Sequence, residues 1–89
     1  MHFLWDYNIR EDQFQELLSG KLSLGRIDKK WAILRLLEYG SYPDIIHFLG
    51  FKRFAEEWPQ IREYVRSPRR KRAFDFLHKW LLEKHRELI

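Results

Sequence analysis

Asn8, Asp28, Ser41 and Ser67 each stand just ahead of an apolar segment of helical period, and Gly20, Gly40 and Gly50 follow the first three segments. The side-chain oxygens of Asn, Asp and Ser accept from the free N–H groups of a first helical turn, and glycine ends a helix without a Cβ clash. This punctuation confines the chain to short helices at nearly fixed positions. No stretch alternates apolar and polar residues over strand length with β-branched enrichment, so the predicted class is all-α. No internal repeat holds a fixed period. At 89 residues the chain makes one small helical domain over 1–89, burying about two-thirds of the surface its unfolded form exposes.

Five helices are expected. An aromatic lead, Phe3-Leu4-Trp5-Asp6-Tyr7, is too short for a strand and is expected to pack on the helices. Asn8 caps a first helix over about residues 9–19, with Phe14, Leu17 and Leu18 inward and Gly20 as its stop. Residues 21–27 form a connector that turns at Gly25, and Asp28 caps a second helix to about Tyr39. Trp31, Ile33, Leu34, Leu36 and Leu37 cover more than half of its circumference, which marks it as the central helix. Ser41 and Pro43 restart the chain into a short third helix with Ile45, Ile46, Phe48 and Leu49. A fourth begins near Phe51 and turns Phe54, Ala55, Trp58, Ile61 and Val65 inward, with Pro59 kinking or splitting it. The last, about 68–87, presents Ala73, Phe74, Leu77, Trp80, Leu81 and Leu82 and is expected to cross the second. The expected core is Trp31, Leu34, Leu37, Ile46, Leu49, Phe54, Trp58, Phe74, Leu77 and Leu81.

Charge is spread unevenly. Residues 1–50 carry a net −1 and residues 51–89 a net +5, so the basic character belongs to the C-terminal half. Its focus is Arg66-Ser67-Pro68-Arg69-Arg70-Lys71-Arg72. Ser67 suits the N-cap and Pro68 the first helical position, which sets Arg69, Arg70, Lys71 and Arg72 in a first turn. The helix dipole is positive there, so each cation costs up to about 1 kcal/mol, and the four repel one another. An external anion is the natural compensation. With Arg62 and Arg66 added, arginine dominates the cluster, which favours bidentate contact with carboxylate or phosphate. The plainer reading is a solvated face with stems laid on apolar surface. If the run is strained, replacing Arg69 and Arg70 by Glu should stabilise the free protein.

Chemistry of other kinds finds little footing. There is no cysteine, and so no disulfide frame or thiolate, which fits a reducing compartment. The N-terminus lacks a signal-peptide pattern and no apolar run reaches the roughly 20 residues of a membrane span. The expected location is the cytoplasm. The serines cap helices, the glycines do not form a phosphate loop, and the acidic residues of the last helix sit among cations, so an enzyme is not expected. His78 and His85 are about 10 Å apart along one helix, and with His2 and His47 they read as surface residues, not as metal ligands. Neither metal nor cofactor is expected. Residues 45–65 invite a helix-turn-helix reading, with Lys52 and Arg53 at the start of the later helix in place to contact nucleic acid. Glu56, Glu57 and Pro59 weaken that fit, and an ordinary helical hairpin is the simpler account.

Three blocks carry a resemblance: Phe3-Leu4-Trp5-Asp6, Ile33-Leu34-Arg35-Leu36-Leu37-Glu38-Tyr39-Gly40, and Arg66-Ser67-Pro68-Arg69 followed by Phe74. Together they resemble a family of small uncharacterised bacterial and archaeal helical proteins often encoded beside AbiEii-type nucleotidyltransferase toxins. The resemblance implies an antitoxin-like or adaptor protein that binds a neighbouring nucleotidyltransferase, or its nucleic acid, without catalysis of its own. The expected function is thus an interaction module whose basic half meets an acidic protein surface, with direct nucleic-acid binding as the alternative. Self-association remains open.

Overall fold

The structure is a computed structural model that describes residues 9–89. It contains five α-helices: α1 (Glu11–Ser19), α2 (Lys29–Tyr39), α3 (Tyr42–Phe48), α4 (Gly50–Ile61) and α5 (Pro68–Lys84). A 3-10 turn, Arg62–Tyr64, continues α4, and another, Arg86–Leu88, follows α5. No strand forms among the described residues; a single bridge between Leu24 and Ile27 tightens the connector around Gly25.

Most of the helix starts are made as the caps dictate. The Asp28 carboxylate accepts from the Trp31 N–H at 3.0 Å, and the Ser67 hydroxyl accepts from the Arg70 N–H at 3.2 Å. Ser41 and Asp44 cap reciprocally: the Asp44 N–H donates to Ser41 Oγ, and the Ser41 N–H donates to Asp44 Oδ2. The first helix differs. Its N-cap is Arg10, whose backbone N–H donates to Gln13 Oε1 at 3.0 Å. The expected Asn8 cap, the aromatic lead and His2 lie outside the described residues.

Helix ends follow two different rules. At Gly20 the backbone turns left-handed, φ +80°, and the Gly20 N–H closes on Leu17 O at 3.1 Å. Gly40 is extended, and glycine is needed there for space: a Cβ would fall 2.6 Å from Leu36 O and 2.9 Å from Leu36 Cδ1. Pro59 stands in the last turn of α4, where its missing N–H leaves one carbonyl without an intrahelical donor. The helix continues two residues beyond it and then tightens into the 3-10 turn. The last helix ends at Lys84, earlier than the sequence suggests.

One apolar cluster takes side chains from all five helices: Phe14, Leu17 and Leu18; Ala32, Ile33, Leu36 and Leu37; Ile45; Phe54, Trp58 and Ile61; Phe74 and Leu81. Leu49 and Val65, in the links between helices, complete it. The expected core is corrected at four places, since Trp31, Leu34, Ile46 and Leu77 are only half-buried. The reason is the direction of packing. α2 lies against α1 and α3, so its Ala32–Ile33–Leu36–Leu37 side turns inward. α5 packs chiefly along α4 and meets the end of α2 at its own start, through Arg70. Phe74 sits 5.4 Å from Trp58 and 5.7 Å from Phe54, ring centre to ring centre, and these three rings join the two helices.

Candidate interaction surface at the entrance of the last helix

The link Val65–Ser67 brings the start of α5 beside the end of α2. There the basic run divides into residues with partners inside the fold and residues without. Arg70 belongs to the first group. Its Nε donates to Leu37 O at 2.7 Å and its Nη2 to Gly40 O at 2.6 Å. These are carbonyls at the C-terminus of α2, where no helical N–H remains to reach them. Arg70 is therefore a cap for α2, and its positive charge sits at the negative end of that helix dipole. Burial lowers its pKa from the usual arginine value, and nearby Glu38 pushes the other way.

Arg62 is also committed. Its Nε and Nη2 donate to the two oxygens of Asp75 at 2.9 and 2.7 Å, the parallel fork that guanidinium forms with carboxylate. The buried Trp58 ring donates its Nε1–H to Asp75 Oδ1 at 2.8 Å. Asp75 thus ties the end of α4 to α5. The Arg62 hydrogen bond holds the Asp75 carboxyl below its ordinary pKa, helped by Trp58 and Lys71, and Asp75 in turn raises Arg62. Lys71 is half-buried with Asp75 in its field.

Arg66, Arg69 and Arg72 differ. All three are exposed, and none of their side chains has a hydrogen-bond or ion-pair partner among the described residues. The Arg66 backbone N–H donates to Glu38 Oε1 at 2.7 Å, which anchors the link and leaves the guanidinium outside. Beside Arg69 an apolar crevice of about 260 Å³ opens between Tyr42 and Ile45 of α3 and Ala73 and Phe74 of α5. Tyr42 is 56% exposed at its rim.

The expectation that Glu at positions 69 and 70 would stabilise the protein is corrected accordingly. Arg70 already has acceptors in α2, so the expectation is kept as a prediction for Arg69 alone. The candidate nucleic-acid residues divide in the same way. Lys52 is exposed, but Arg53 reaches back to donate to Leu18 O at the end of α1. Of the nearby acids, Glu57 pairs with Lys29 at 3.1 Å and Glu56 is exposed.

The described histidines each have local company: His47 with Glu11, His85 with Glu87 and the Trp80 ring, His78 against Phe54. Among the described residues no group of three or more His, Asp or Glu converges, and no helix is long and apolar enough to cross a membrane. No family model matches the chain, and no curated protein or solved structure matches it either.

Proposed function

We propose that this chain is a non-catalytic, cytoplasmic interaction module that docks an acidic protein surface through the entrance of α5. Arg66, Arg69 and Arg72 make the contacts. The observation that carries the reading is the division within the run: three exposed guanidiniums without acceptors, beside two whose acceptors lie inside the fold. The positive end of α5 adds to their field, so carboxylates arriving there offset both the dipole and the mutual repulsion. The crevice beside Arg69 favours a protein over a nucleic acid. A hydrophobic side chain suits its apolar lining, and a sugar–phosphate backbone does not. The resemblance in three blocks suggests which partner to try first, a nucleotidyltransferase-type protein encoded nearby, for which this chain acts as an antitoxin-like or adaptor subunit.

The test is co-expression with the products of the flanking genes, followed by affinity measurement. Arg69→Glu combined with Arg72→Glu should weaken capture at least tenfold, about 1.4 kcal/mol, while leaving the helix content unchanged. Titration against duplex and single-stranded nucleic acid tests the alternative. A phosphate-driven complex weakens with a log–log salt slope near −0.9 per phosphate neutralised on duplex. Such a slope, together with no capture of a protein, would transfer the function to nucleic-acid binding.

A further inference from the structure

The outer face of α5 carries Arg69, Phe76 and Glu83 at intervals of seven residues, with Ala73 and Trp80 on one flank and Arg72 and Lys79 on the other. Phe76 is 71% exposed, more than any other large hydrophobic side chain described. Arg69 and Glu83 are both exposed, and neither side chain has a partner among the described residues. We propose that this face pairs with the same face of a second copy, α5 against α5, antiparallel and two-fold about Phe76.

A two-fold contact must complement itself, so a residue some distance before the axis meets the residue the same distance after it. With Phe76 on the axis, ring meets ring. Arg69, seven residues before, meets Glu83 of the second copy, seven residues after, and symmetry makes the ion pair twice. At 1.5 Å per residue each pair lies about 10 Å from the axis. A two-fold turns each flank onto itself, so the Trp80 indole of the second copy comes beside Ala73, whose small side chain leaves room for it. A parallel arrangement would set Arg69 on Arg69 and Glu83 on Glu83, so charge selects the antiparallel one. Charge also selects the occupant. An acidic partner answers Arg69 but repels Glu83, whereas the same face reversed answers both. Arg72 and Lys79 bring like charges together on one flank, which places the contact among small, transient ones.

This pairing does not rest on the acidic-partner reading; a partner that takes Arg69 competes with the second copy for it. The experiment is sedimentation equilibrium of the full chain between about 10 µM and about 1 mM, the range in which small contacts associate. The mass should rise from 11.1 kDa toward twice that value with concentration. Arg69→Glu and Glu83→Arg should each weaken association about tenfold or more. An equimolar mixture of the two variants should recover it, because each then presents what the other lacks. A wild-type chain that stays at monomer mass throughout overturns the proposal. So do single variants that associate like wild type, or a mixture no better than its components.

Discussion

Arg69 and Arg70 are chain neighbours with opposite relations to the fold. Arg69 points to solvent from a helix entrance whose dipole disfavours it, while Arg70 turns back across α2 and satisfies two carbonyls that otherwise face a half-buried site. Arg70→Ala should therefore lower stability by about 1–3 kcal/mol, the penalty for stranded buried acceptors. Arg69→Glu should raise it by some tenths to about 1 kcal/mol. Urea denaturation midpoints of the two single variants measure both effects. If Arg70→Ala unfolds at the wild-type midpoint, the α2 cap contributes nothing and the whole run belongs to the surface.

Between elements, the fold is held at helix ends as much as along helix faces. Asp75 receives Arg62 and Trp58 together, and its sign with pH can be worked out. A carboxyl held below its ordinary pKa stabilises the fold at pH values above the unfolded value, about 3.9. That contribution is lost as pH falls through the lower, folded value. Wild type should lose stability steeply below about pH 4. Asp75→Asn should be weaker at pH 7 and fall less on acidification, so that the two curves converge. Parallel curves from pH 7 to pH 2 would rule the linkage out. The local caps were legible in the sequence because Asp28, Ser41 and Ser67 act on N–H groups three residues ahead. The caps at the other ends were not. Arg53 meets Leu18 and Arg70 meets Leu37 across more than thirty positions, and only the packing of helices decides that meeting. A cationic run has the same spelling whether its members face water or a distant carbonyl, so the candidate site could be outlined in sequence but not divided.

At the scale of the molecule, the apolar count of each helix was readable, but its azimuth was not. Helical period admits any face of a helix that is apolar over more than half its circumference. α2 is such a helix, and its neighbours α1 and α3 pick the side with Leu36 and Leu37 over the side with Trp31 and Leu34. Leu37→Ala should cost about 2–5 kcal/mol. Leu34→Ala, at a half-buried site, should cost about half that or less. Thermal denaturation of the pair distinguishes this azimuth from the alternative, in which Leu34 is the costlier loss. The two arginine caps have a temporal side as well. A chain is synthesised from its N-terminus, so α1 and α2 leave the ribosome before the residues that close them. Until Arg53 emerges the Leu18 carbonyl has only water, and the carbonyls of Leu37 and Gly40 wait longer still, for Arg70. The aromatic cluster waits on Phe74 in the same way. The N-terminal helices of a nascent chain are therefore open-ended and half-covered, and native closure comes with the arrival of α5.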